Sequence, residues 1–148
     1  MVVMVRKAES ADLDSLAILF DGYRQFYKQG ADLVAARQFL LARVENAEST
    51  IFIAEIGDKP VGFTQLYPSF SSVRLGRMFV LNDLFVAPEA RGTGAGGALL
   101  DAAAVYARDE AAIGLSLRTA IDNETAQRLY EANGWTRDQK FYQYDLSL

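Results

Sequence analysis

Val80-Leu81-Asn82-Asp83-Leu84-Phe85-Val86-Ala87-Pro88-Glu89-Ala90-Arg91-Gly92-Thr93-Gly94-Ala95-Gly96-Gly97-Ala98-Leu99-Leu100 is the stretch from which the rest of the chain is read. It opens with apolar, β-prone residues, turns at residues 87–90, and enters a glycine-rich segment that runs straight into helix-forming Ala and Leu. That is the pattern of a buried strand, a tight turn and a helix whose first turn carries almost no side chains. A helix start of this kind offers free backbone N–H groups and the positive end of the dipole, which suits a phosphate. Glycine used only for close packing of helix on sheet explains one or two glycines, but not Gly92, Gly94, Gly96 and Gly97 together.

Upstream, residues 2–6 are rich in β-branched side chains and read as a first strand. Ser10 or Asp12 caps a helix to about Gln29, with Leu13, Leu16, Ala17, Phe20, Tyr23 and Tyr27 recurring at three- and four-residue steps. Asp32 starts a second helix carrying Leu33, Ala36, Leu40 and Val44. Residues 51–56 form a strand, Gly57-Asp58-Lys59-Pro60 a hairpin turn, and residues 61–67 the returning strand, which Pro68-Ser69-Phe70-Ser71-Ser72 is expected to interrupt. Residues 77–86 form the next strand. Downstream, a helix covers about 94–109, and a short strand follows around Leu115 and Leu117. A helix capped by Asp122 or Asn123 spans 124–132 and ends at Asn133-Gly134, and residues 135–146 read as a final strand. The order is β-α-α-β-β-β-α-β-α-β, with strands and helices interleaved too closely for two domains. The expectation is one α/β domain, residues 1–148, with a mixed sheet.

Composition narrows the chemistry. The 148 residues include no cysteine and no histidine. A thiol nucleophile is therefore excluded, and the usual general base and commonest zinc ligand are missing, so no metal is expected. The net charge of −4, without a Lys/Arg cluster, disfavours nucleic acid and weakly favours a cationic or amine-bearing partner. No apolar run has the length of a membrane span, and Arg6 and Lys7 follow too early for a signal sequence; the expected location is cytoplasmic.

The glycine loop lacks the Gly-Lys-Ser/Thr of a nucleoside-triphosphate loop, since Gly96-Gly97-Ala98 stands there. It also sits too late in the chain for a dinucleotide fold. Arg91-x-x-Gly94-x-Gly96 resembles the Arg/Gln-x-x-Gly-x-Gly/Ala motif of the GCN5-related N-acetyltransferases. Asn123-x-x-Ala126-x-x-Leu129-Tyr130-x-x-x-Gly134-Trp135 resembles that family's second motif, at the family's usual separation. Tyr23-x-x-Phe26-Tyr27 and Asn82-Asp83-Leu84-Phe85-Val86 resemble its diamine and histone-and-polyamine acetyltransferase branch.

The resemblance implies a mixed, mostly antiparallel sheet flanked by helices, with a splayed central strand pair, and acetyl-CoA as cofactor. Residues Arg91, Gly92, Thr93, Gly94, Ala95, Gly96 and Gly97 would then hold the pyrophosphate, although Arg91 also reads as a solvated side chain at a helix entry. The strand end Leu84-Phe85-Val86 would pair with the pantetheine arm, and Asn123 and Ala126 would meet the same arm, with Asn123 also free to cap its helix. Tyr130 matches the family's general acid, which protonates the departing thiolate; the alternative is plain packing beside Leu129. In the diamine branch a Glu stands at the position of Asn82, which cannot take a proton. Asp83 is then the candidate base, through water, or else a structural carboxylate. The two neighbours face opposite sides of a regular strand and share a role only if a bulge intervenes. Tyr23, Tyr27, Tyr67 and Asn82 are the candidate acceptor-binding residues, with the first two also suited to the border of a helix core face. The implied reaction is acetyl transfer to a primary amine by direct attack in a ternary complex. Its alternatives are a protein lysine or N-terminus as acceptor, or an acyl-CoA-binding module without transfer. The last segment's aromatics on both faces, Phe141, Tyr142 and Tyr144, suggest a homodimer.

Overall fold

Ile51-Phe52-Ile53-Ala54 is apolar at every position where a half-buried strand would alternate, and all four are buried in the computed structural model, which describes residues 2–148. Such a strand needs cover on both faces. The described residues fall into two compact units, one running up to Arg118 and the other Thr119–Leu148. In the first unit, β1 (Val3–Lys7), β2 (Thr50–Ile56), β3 (Lys59–Ser71), β4 (Gly76–Val86) and β5 (Gly114–Ser116) form one sheet in that spatial order. The first four strands are antiparallel and β5 is parallel to β4, so the α/β, mixed and mostly antiparallel architecture read from the sequence is the observed one.

Two helices cover one face. Leu13, Leu16, Leu19 and Phe20 of α1 (Leu13–Phe26) and Ala36 and Leu40 of α2 (Leu33–Glu45) pack with Ile51, Ile53 and Phe63 in one cluster. Each of the larger side chains contributes about 1.5–3 kcal/mol by leaving water. The other face is covered by α3 (Ala95–Asp109), which buries Leu99, Leu100, Ala103 and Ala107. Tyr106 of α3 sets its ring against Phe52 and Phe79, and its hydroxyl oxygen accepts from Thr50 Oγ1 at 2.9 Å.

Asp12 stands at the N-cap of α1, as read from the sequence, but among the described residues neither its side chain nor that of Ser10 makes a cap hydrogen bond to that helix. Asp12 closes a short 3-10 turn before α1, accepting from the Glu9 N–H at 2.7 Å. Two 2.8 Å hydrogen bonds from the Arg6 guanidinium hold the Asp12 carboxyl down at about 2. Asp32 accepts from the Ala35 N–H at the start of α2.

Two expectations are corrected. Pro68 does not interrupt its strand, because β3 continues to Ser71 with Pro68 opposite Phe79 of β4. The ladder to β2 ends at Leu66, so from Tyr67 onward β3 is an edge on that side, where proline's missing N–H removes no ladder bond. The final strand is absent: residues 135–148 form no ladder among the described residues, and Phe141, Tyr142, Tyr144 and Leu146 are all exposed. β-propensity is a fit to a pleated, half-buried surface, so a β-prone segment without a neighbour is not a strand. In this second unit, α4 (Glu124–Ala132) ends at Gly134 in the left-handed region, as its Asn-Gly predicts. No helix among the described residues is long and apolar enough to cross a membrane.

Candidate active site

The register between β3 and β4 slips by one residue at Asn82. Gln65 lies opposite Asp83, yet Leu66 lies opposite Leu81, so Asn82 is the extra residue of a β-bulge. The bulge changes which side chains share a face. Leu81 joins the apolar core, while Asp83, two residues on, faces the α1–α2 side. Asn82 and Asp83 therefore serve one cavity, which a regular strand forbids.

Asp83 is 2 % exposed, and each of its carboxylate oxygens accepts a side-chain hydrogen bond. Asn82 Nδ2 donates to Oδ1 at 2.8 Å and Gln65 Nε2 to Oδ2 at 2.5 Å. Gln65 is itself anchored, its Oε1 accepting from Ser49 Oγ at 2.8 Å. Burial pushes the Asp83 carboxyl above the usual range, and hydrogen bonds from Asn82, Gln65 and Tyr23 oppose the rise. The net direction is upward, toward a more basic carboxylate. Tyr67 is also affected: burial first, then the charge of Asp83, pushes its phenol up to about 12, so it stays protonated.

These groups border a cavity of about 380 Å³, within the range of small-molecule sites. Its aromatic walls include Phe20, Tyr23 and Phe39, and its polar groups are Arg24, Tyr67, Asn82 and Asp83. Tyr23 is fixed by a 3.1 Å hydrogen bond from its hydroxyl to the Asn82 carbonyl. Of the acceptor residues predicted from sequence, Tyr23, Tyr67 and Asn82 are brought together. Tyr27 is not among the lining residues; it stands behind, its ring 5.1 Å from that of Tyr23. Gln65, Arg24 and Phe39 were not foreseen. A lone amide inside the apolar run Val61–Leu66 was the available signal for Gln65, the same anomaly that marked Asp83.

The loop after β4 has the donors a pyrophosphate needs. Gly94 caps α3 with φ +88°, Gly92 has φ +81°, and a Cβ added at either meets nothing within 4 Å, so glycine is required there by backbone conformation and not by space. The first helical bond of α3 runs from Ala98 N–H to Gly94 O, and among the described residues the N–H groups of Ala95, Gly96 and Gly97 have no acceptor. Thr93 Oγ1 is taken up by the Ala90 carbonyl at 2.6 Å. Arg91 reaches back to the strand: its Nε donates to the Val86 carbonyl at 3.2 Å, and its guanidinium lies about 6 Å from the rings of Phe26 and Phe85. The Arg91 side chain thus ties the loop to the end of β4. β5 pairs with β4 only over Met78–Val80, so Leu84, Phe85 and Val86 have no ladder on that side among the described residues, the opening that a pantetheine amide can enter as an added strand.

The second unit carries the other matching block. Asn123 caps α4, its side chain accepting from the Ala126 N–H at 3.2 Å, so the capping role is the observed one. Tyr130 is partly buried on α4 with its ring 6.2 Å from that of Trp135, and the Trp135 N–H bonds the Tyr130 carbonyl.

Residues 16–135 match the model of the acetyltransferase (GNAT) family. An uncharacterized N-acetyltransferase, YhfO, of Bacillus subtilis is 50 % identical over 144 residues, covering 97 % of each chain. A thialysine N-epsilon-acetyltransferase of Bos taurus is 29 % identical over 144 residues, covering 89 % of this chain and 83 % of that one. The crystal structure of a probable acetyltransferase superposes with a TM-score of 0.93 at 41 % identity, covering 98 % of this chain and 97 % of the other. Members of the matched family use acetyl-CoA. With its sheet, its glycine loop and its relatives in agreement, the chain belongs to the GNAT family and is an N-acetyltransferase.

Proposed function

We propose that the enzyme transfers acetyl from acetyl-CoA to a primary amine of a small molecule, a polyamine or an amino acid, by direct attack in a ternary complex. The observation that carries this reading is the buried, doubly amide-bonded Asp83 beside aromatic faces in a cavity of small-molecule size. An alkylammonium titrates near 10 and is no nucleophile until it loses a proton. Tyr23 lines the cavity as an aromatic wall for such a cation, and Asp83 takes its proton, with Asn82 holding one carboxylate oxygen in place. Acetyl-CoA supplies the activated thioester and a thiolate leaving group. The N–H groups of Ala95, Gly96 and Gly97 and the open edge of β4 are the groups that hold it. Tyr130 is the donor that protonates the thiolate, a role read from its place in the second motif. With no cysteine in the chain, an acetyl-thiol enzyme is impossible and direct attack is the simpler route.

The unbroken family match across residues 16–135 supports treating residues 1–148 as one acetyltransferase domain. The exposed aromatics of the C-terminal tail support a homodimer, and the composition a cytoplasmic enzyme without a nucleic-acid partner. Sedimentation at high concentration checks the dimer. The function is tested by CoA-thiol release from acetyl-CoA across a panel of polyamines and amino acids. Release with at least one of them is expected; acetyl-CoA binding by calorimetry with no release from any would leave a binding module instead.

A further inference from the structure

We infer that the acceptor carries a carboxylate as well as its amine, and that Arg24 reads it: the preferred acceptors are amino acids whose amine and carboxylate stand apart, not simple diamines. This rests on the amine-transfer reading of the cavity and narrows it.

The cavity presents two charges of opposite sign from different elements, Asp83 from β4 and Arg24 from α1. Arg24 is held on one side only. Its Nη1 donates to Asp21 Oδ1 at 2.9 Å and to the Gly30 carbonyl at 3.1 Å, while among the described residues Nε and Nη2 have no acceptor. Asp21 does not neutralise Arg24 alone. It is 6 % exposed and also accepts from Gln25 Nε2 at 3.2 Å and from the Asp32 N–H at 3.1 Å, so its charge is shared among three donors. The buried carboxylate fixes the guanidinium and leaves part of the fork unfilled, the arrangement in which arginine takes a carboxylate with two parallel hydrogen bonds. A clamp on the turn from Arg24 to Asp32 needs only Nη1. It does not account for a cation with spare donors on the wall of the cavity that holds Asp83. A diamine placed with one end at Asp83 would bring its second ammonium toward Arg24, and like charges across a cavity are a means of rejection.

Calorimetry on the CoA-loaded protein tests this with ω-amino acids from 3-aminopropanoate to 6-aminohexanoate, each against its neutral amide, and with cadaverine. At least one acid is expected to bind about 10- to 100-fold more tightly than its amide, the range of a charge-assisted pair. Arg24→Gln should remove that difference by weakening the acid alone, and Arg24→Lys should keep part of it. In the CoA-release assay the loss should appear in KM with kcat nearly kept. Amide or cadaverine binding as tightly as the acid overturns the inference. So does an Arg24→Gln variant that weakens acid and amide alike, the mark of a turn clamp, and so does absence of binding across the series. Arg24-dependent binding of an acid without CoA release would sink the transfer reading and leave the carboxylate site standing.

Discussion

Replacing Gln65 by Leu tests the carboxylate at the centre of the site. Gln65 is wholly buried, and its amide gives Asp83 one of the hydrogen bonds that favour the ionised form. A hydrogen bond to a charged group contributes about 1.5–3 kcal/mol, and one pKa unit corresponds to about 1.4 kcal/mol. Removing this donor while leaving Asp83 buried should therefore raise its pKa further. The direction adds to the rise that burial already causes. In a pH series of CoA-thiol release at saturating acetyl-CoA, the acidic limb should move upward, with the alkaline plateau nearly kept. On the limb itself the rate falls about 10- to 100-fold. Stability responds in a defined sense as well. Because the folded state holds the Asp83 proton more tightly than the unfolded chain, stability falls as pH rises from the ordinary aspartate range through the raised folded value. Gln65→Leu extends that window upward, so the Tm difference from the parent should grow with pH across it. A variant with a lowered Tm and an acidic limb that has not moved would show that Gln65 merely fills space and that Asp83 is not the base.

Two further outcomes follow from the cofactor groups. Tyr130→Phe should lower kcat by about 100-fold with little change in acetyl-CoA affinity, since only a proton donor is lost; an unchanged kcat removes Tyr130 from the reaction. Gly94→Ala puts a Cβ on a residue at φ +88° with open space around it, so its cost of about 1–2 kcal/mol is conformational. Tm and acetyl-CoA affinity should fall together, and a variant that keeps both would show that the left-handed helix cap is dispensable.

Much of the fold was legible along the chain because its signals are local. The fully apolar run at Ile51–Ala54, the cap at Asp32, the Asn-Gly stop after α4 and the glycines before α3 each state their conformation within a few residues. The errors were of one kind. Pro68 looked like an interruption because a proline's cost depends on whether a neighbouring strand needs its N–H, and the end of the β2 ladder removed that need. The tail looked like a strand because its residues are β-prone, but strand formation requires a partner.

The sequence by itself determined the family, the glycine loop at the start of α3 and the suspicion that Asn82-Asp83 carries the chemistry. Glycines at a helix start and a carboxylate within an apolar strand are anomalies visible without coordinates. Only the tertiary structure decided how those two neighbours act together. A bulge is a property of two strands in register, so the one-residue slip between Gln65 and Leu66 that turns Asp83 toward the α1–α2 side cannot be seen in either strand alone. The same holds for its partners. Gln65, Ser49, Tyr23 and Arg24 come from separate elements and reach the site only because the sheet and its helices close around one buried carboxylate.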